Sequence, residues 1–180
     1  MPRRPILLAL LVAVLATVGV FAVVRATRPD TGGGTPDAIA VGNPAPAVTG
    51  TTLDGAAFDL KALTGRPVVI NFWGQSCVPC RDEFPLLESK LTQHASDRIA
   101  VVGILTDDPP EGARAFIADH GATWPTVVDP NKAIKAAYRV AARPQTYFVD
   151  RAGVLRSIQV GELTDADFER QYAKIAATAP

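Results

Sequence analysis

The sequence predicts an α/β domain, a central mixed β-sheet flanked by helices on both faces, and two observations carry that prediction. Short apolar runs rich in Val, Ile and Phe alternate with segments whose apolar residues recur at helical spacing. Capping and turn residues punctuate the boundaries between them.

The domain does not start at the first residue. Arg3 and Arg4 precede an uncharged stretch from Ile6 to Val24, which Arg25 and Arg28 close. Its 19 residues approach the roughly 20 that cross a bilayer as a helix and exceed the roughly 7–15 of a signal-peptide core. No small-x-small cleavage site follows cleanly, and no cysteine lies there to carry a lipid. Residues 1–26 read as an uncleaved signal anchor, a single transmembrane helix, with a cleaved signal peptide as the alternative. Two arginines flank each side, so the orienting charge bias is weak. Residues 27–37, rich in Gly, Thr and Pro, read as a flexible linker. Residues 38–180 suit one domain able to bury its own core. They hold 14 Lys and Arg against 16 Asp and Glu, with no basic patch, so nothing favours a nucleic-acid partner.

Within the domain, Ala47–Thr52 and Ala56–Asp59 flank Leu53-Asp54-Gly55, a hairpin signal. Strands are expected at Val68–Trp73, Ile99–Leu105, Thr126–Val128, Thr146–Asp150 and Val154–Val160. A first helix runs from the cysteines to about His94, with Pro85 predicting a kink. A second follows Asp108-Pro109-Pro110-Glu111, a capping-box-like start, and Gly121 ends it. A third starts at Asp129-Pro130 and carries Ala133, Ile134, Ala137 and Tyr138. For the last, Thr164 is the expected N-cap with Asp167 three residues on, and Leu163 and Phe168 form a hydrophobic staple. Its buried face is Phe168, Tyr172 and Ile175.

Chemistry concentrates where the first long strand gives way to a helix. Cys77 and Cys80, the two cysteines of the chain, sit there as Cys77-Val78-Pro79-Cys80. Two sulfurs two residues apart at a strand-to-helix junction can form and break a disulfide with each other. The loop so closed is too short to restrict an unfolded chain much, so stapling explains it poorly. Zinc explains it poorly too, since a closed site needs about four ligands and His94 and His120 fall on separate expected helices. Redox chemistry is the favoured reading. No metal and no cofactor other than the disulfide is implied, and disulfides persist outside the cytoplasm.

Asn71-Phe72-Trp73 followed by Cys77-x-Pro79-Cys80 resembles the thioredoxin fold, and more narrowly the membrane-anchored TlpA/ResA-type thiol–disulfide oxidoreductases, which include the cytochrome c maturation proteins. The resemblance extends over nearly the whole domain. Val41-Gly42-Asn43-Pro44-Ala45-Pro46 is similar to the family's opening Gly-x-x-Ala-Pro segment. Arg81-Asp82-Glu83-Phe84-Pro85 matches the residues after its second cysteine. Tyr138-Arg139-Val140 and Arg143-Pro144-Gln145-Thr146-Tyr147-Phe148-Val149-Asp150 resemble its Tyr-Gly-Val and Pro-Thr-Thr-Phe-Leu-Ile-Asp stretches. Thr106 to Asp129 resembles its central strand–helix insertion.

The resemblance implies roles. Cys77 would be the attacking thiolate, favoured by the partial positive charge and free amides of a helix N-terminus. Cys80, one turn later, would resolve the mixed disulfide. Pro144 is the expected cis-proline, lying against the cysteines and presenting backbone groups to a client peptide. Arg143 departs from the small or aliphatic residue common before that proline; reaching Cys77, its guanidinium would raise the potential, whereas the plainer reading points it at solvent. Glu83 is the candidate proton carrier for Cys80. Thioredoxin has a buried aspartate where this chain has Asn71, and the TlpA/ResA pattern moves the carboxylate to the position of Glu83. The alternative for Glu83 is an exposed helix face shared with Asp82 and Glu88.

Trp73 reads as packing beside the site and as a substrate contact, and Trp124 as core or loop packing. Ser76 replaces the tryptophan usual before the first cysteine. His94 and His120 read as helix-dipole partners, and Asp107 and Asp108 as caps.

The expected activity is an extracytoplasmic, membrane-tethered protein thiol–disulfide oxidoreductase. Its clients would be protein thiols such as those of apocytochrome c, kept reduced for haem attachment with electrons from a membrane thiol carrier. The alternative is an oxidant that forms disulfides in secreted proteins, served by a membrane oxidase, and Arg143 leans that way. Peroxidase chemistry is weaker, because the Pro-x-x-x-Thr-x-x-Cys site of the related peroxiredoxins is missing around Cys77. A non-enzymatic apocytochrome or haem chaperone would work without either cysteine.

Overall fold

Residues 39–177 are described by the structure, a computed structural model. The expected anchor and linker, residues 1–37, lie outside them. Among the described residues no helix is long and apolar enough to cross a membrane.

A hairpin of β1 (Thr49–Thr51) and β2 (Ala57–Asp59) comes first. The central sheet follows: β3 (Val68–Trp73), β4 (Ala100–Leu105), β5 (Thr126–Val128), β6 (Gln145–Val149) and β7 (Leu155–Val160). Their spatial order is β5-β4-β3-β6-β7. β4 runs parallel to β3 and to β5, whereas β6 is antiparallel to β3 and to β7. All residues of β3 and β4 are buried. That explains why both read as nearly continuous apolar runs, with Asn71 the polar exception in β3, rather than as alternating ones. The hairpin joins the sheet's outer edge through a bridge from Thr52 to Val127 and a bond from Leu53 N–H to the Thr126 carbonyl.

Among the described residues, four α-helices pack on this sheet: α1 (Val78–Gln93), α2 (Pro110–Asp119), α3 (Ala133–Ala137) and α4 (Asp165–Ala176). The period-2 alternation of β3 sorts its side chains between two cores. Val69 and Trp73 join Phe84 and Leu87 of α1, Phe116 of α2, and Phe168, Tyr172 and Ile175 of α4. Val68, Ile70 and Phe72 join Ile134 of α3, Tyr138 and Tyr147 on the other face. Thr106 to Asp129 holds α2 and β5, so the expected insertion is present, with its helix before its strand.

Local chemistry accounts for most boundaries. The Thr164–Asp167 capping box forms in full at α4. At α2 the expected box does not form: Pro109 is the N-cap and no side chain bonds the first turn. Proline at the first helical position suffices there, because its missing N–H is one the helix would leave unpaired anyway. Asp129 starts α3 from a distance, accepting hydrogen bonds from the N–H groups of Ile134 and Lys135 at 3.1 and 2.8 Å. α1 continues through Pro85 as one helix. Its Lys90, 2% exposed, meets Asp165 and Glu169 at 2.6 Å and so ties α1 to α4.

The core is closely packed where β4 passes Trp73. A Cβ added at Gly103 would lie 2.6 Å from Thr126 Oγ1 and 2.8 Å from Trp73 Nε1. Gly103→Ala should therefore destabilise the fold by about 1–3 kcal/mol, the usual range for overpacking. A lowered urea midpoint with an unchanged slope is the expected readout.

Candidate redox-active site

The site begins where β3 ends. Gly74, Gln75 and Ser76 form the turn, closed by a bond from Cys77 N–H to the Gly74 carbonyl at 3.0 Å. Cys77 is the N-cap of α1, and its sulfur accepts the N–H of Cys80 at 3.3 Å. A sulfur in that place faces the free amides and positive end of the helix dipole, which favour a thiolate. The two sulfurs are joined in a disulfide, with the Cα atoms 5.3 Å apart. Cys77 keeps 8% of its surface and Cys80 none. The asymmetry suits an attacker and a shielded resolver.

Glu83 lies one turn beyond Cys80 on the same helix, so the two side chains share a face. It is fully buried, which removes the exposed-face alternative. Its Oε2 accepts from Asn71 Nδ2 at 2.9 Å, and its Oε1 accepts the N–H of Leu163 at 3.0 Å. Asn71 Nδ2 also donates to Thr146 Oγ1. Burial pushes the Glu83 carboxyl up to about 7, against those hydrogen bonds, with a small further rise from Glu162. A carboxyl at that value can take or give a proton near neutral pH.

Arg143 does not take the solvent-pointing position of the plainer reading: its side chain keeps 19% exposure and bonds the neighbouring loops. Its Nη1 donates to the Thr106 carbonyl at 2.8 Å and to Asp108 Oδ2 at 3.1 Å, and its Nη2 donates to Ser76 Oγ at 3.3 Å. The Arg143–Pro144 peptide bond is cis and Pro144 is buried, its carbonyl accepting from Gly161 N–H at 2.9 Å. Trp73, expected as a substrate contact, is fully buried instead. It stands 4.9 Å from the Phe84 ring and 5.1 Å from Phe116, and so supports the site from beneath.

The aspartate pair is also reassigned. Asp108 caps no helix; it accepts from Ser76 N–H at 2.9 Å and from Ser76 Oγ at 2.8 Å. Burial pushes the Asp108 carboxyl up, but the Ser76 bonds and the Arg143 guanidinium outweigh it and hold it below the usual range. Asp107 instead pairs with Lys135 and Lys132, which hold its carboxyl down to about 2. Sequence reading missed these partnerships because Ser76 and Asp108 lie 32 residues apart. His94 and His120 end α1 and α2, bonded to Glu169 and to the Phe116 carbonyl.

Residues 41–158 match the AhpC/TSA family. The thioredoxin-like protein YneN of Bacillus subtilis is 35% identical over 133 residues, 72% of this chain and 77% of that protein. The thiol-disulfide oxidoreductase ResA of Geobacillus kaustophilus is 30% identical over 138 residues, 77% of this chain and 79% of its own. A crystal structure of a thiol:disulfide interchange protein from Chlorobium tepidum superposes with a TM-score of 0.69 at 25% identity, covering 78% of this chain and 100% of that one. Around Cys77, Ile70 and Gly74 stand where a peroxidase site would place its proline and threonine.

Proposed function

We propose, from the premise that this chain belongs to the AhpC/TSA family and is a thioredoxin-fold, ResA-like thiol–disulfide oxidoreductase, that it works as a reductant of protein disulfides outside the cytoplasm. One observation carries the direction. The cation nearest the turn before Cys77, Arg143, is already paired with Asp108. The Cys77 thiolate then draws its stabilisation from the helix N-terminus, without a free guanidinium beside it. A strong oxidant needs its reduced form specially stabilised, and the Asp108 carboxylate draws the Arg143 charge away from that task.

The reaction runs in two displacements. The Cys77 thiolate attacks one sulfur of a client disulfide, an S–S bond forms between enzyme and client, and the client's other sulfur leaves as thiolate. The Cys80 thiol gives its proton to the Glu83 carboxylate and attacks the Cys77 sulfur. The enzyme disulfide forms and the second client thiolate leaves, taking a proton from Glu83. The client gains two electrons and the enzyme pair loses them. A membrane thiol carrier would restore the dithiol. Arg143, which bonds the Ser76 hydroxyl next to Cys77, and its neighbour Pro144 are the groups assigned to a client backbone.

The clients assigned are thiols such as the Cys-x-x-Cys pair of apocytochrome c, with residues 1–26 as the tether to the membrane. The equilibrium potential of the Cys77–Cys80 couple against glutathione tests the direction. It should lie nearer the roughly −270 mV of thioredoxin than the roughly −120 mV of a strong oxidant. A value near the second figure would turn the assignment to disulfide formation in secreted proteins.

A further inference from the structure

The turn carrying Cys77 is held from outside its own helix at three successive residues. A Cβ at Gly74 would fall 1.8 Å from Arg143 Nη1 and 2.3 Å from Asp108 Oδ2, so both groups press on that glycine. The Gln75 side chain lies against Gly112 of α2, where a Cβ would meet its Nε2 at 2.7 Å. Ser76 gives Asp108 both its N–H and its hydroxyl. Asp108 is thus the hub: one carboxylate binds the residue before Cys77 and the guanidinium from the cis-proline loop.

We propose that Asp108 is the positioning residue for Cys77, fixing the Gly74–Ser76 turn and cancelling the charge of Arg143 so that the thiolate rests on the helix N-terminus alone. The inference deepens the reductant reading and rests on it. Asp108 and Arg143 act as a net-neutral pair one residue from the attacking sulfur. Arg143 is then a latch between two loops, and either charge acts on the sulfur only when its partner is removed.

The remaining charges near the turn do not replace the pair. Asp107 is occupied by Lys132 and Lys135, with Arg143 Nε 3.9 Å away. Arg81 and Asp82 are exposed on α1 past Cys80. Glu83 is buried on the Cys80 side of the helix.

The test uses Asp108→Asn, Arg143→Gln and the double variant in the full chain. Cys77 is titrated by thiolate ultraviolet absorbance, and the couple is equilibrated with glutathione. Asparagine keeps an acceptor for Ser76 and drops the charge, which leaves the guanidinium near Cys77 with only the 3.9 Å contact to Asp107, a carboxylate already shared with two lysines. The Cys77 titration should move to lower pH. The equilibrium should shift about tenfold toward the dithiol, which is about 30 mV for this two-electron couple. Arg143→Gln uncovers the carboxylate and should shift both readouts the opposite way. The double variant should return to within about twofold of wild type.

An Asp108→Asn protein whose titration and potential match wild type overturns the proposal. So does an Arg143→Gln protein whose titration moves to lower pH. Should Asp108→Asn fail to fold, the direction of the Arg143→Gln shift decides alone. A wild-type potential near that of a strong oxidant would instead sink the reductant assignment, whatever the variants do.

Discussion

Cys80→Ser is expected to produce a protein that attacks a client disulfide once and stays covalently attached. Cys77 retains its place at the start of α1 in that variant, so the first displacement remains available. The second requires a sulfur at position 80, and a buried hydroxyl cannot supply it. Cys77→Ser should form no adduct at all. Both variants should lose steady-state exchange by at least about a thousandfold, as expected when a nucleophile is removed. Non-reducing electrophoresis with a disulfide-bonded client separates the two: an adduct for Cys80→Ser, none for Cys77→Ser. An adduct in the Cys77→Ser protein would reverse the assignment of attacker and resolver. Unimpaired function of both variants in maturation would support the chaperone reading.

Glu83→Gln should flatten the pH dependence of exchange. In the reductive direction Glu83 must be ionised to take the Cys80 proton, so the wild-type rate should rise with pH through about 7. Without the carboxylate that inflection should vanish, and the rate at pH 8 should fall about a hundredfold, the lower end of general-base contributions. The same burial has a consequence for stability. Because folding raises this carboxyl from 4.5 to about 7, the folded state holds the proton more tightly than the unfolded chain. Its contribution is present below about 4.5 and lost as the pH rises through about 7, a loss on the order of 3 kcal/mol. Glutamine suffers no such loss, and the unpartnered Asn71 Oδ1 can turn to accept from the new amide. Relative to wild type, Glu83→Gln should therefore gain stability between pH 4.5 and pH 8 in urea unfolding. An unchanged pH–rate profile would remove Glu83 from proton transfer even if the stability shift appears.

Much of the fold is legible because its signals are local. β3 and β5 fall on the expected residues, since β-branched and apolar runs between turn signals leave little choice of boundary. The α4 capping box forms as read, because both partners lie within one turn. The α2 start misleads for the opposite reason. Asp108 has the right residue type to cap, but its carboxylate finds Ser76 and Arg143, partners visible only once three loops converge. Glu83 could not be placed on a face from the sequence, because mixed polar and apolar residues on α1 leave its orientation open. Packing of α4 against α1, with Leu163 N–H meeting the carboxylate, decides it.

What the chain encodes by order alone is the pair of sulfurs, their place at a strand-to-helix junction, and the alternation that builds a mixed sheet. These depend on neighbours within a few residues, where spacing translates directly into geometry. The protonation of Glu83, the burial of Trp73 and the diversion of Arg143 toward Asp108 belong to the folded molecule. Each depends on dielectric, or on a charge brought close by segments remote in sequence, and both come into being only when the two cores close around the sheet.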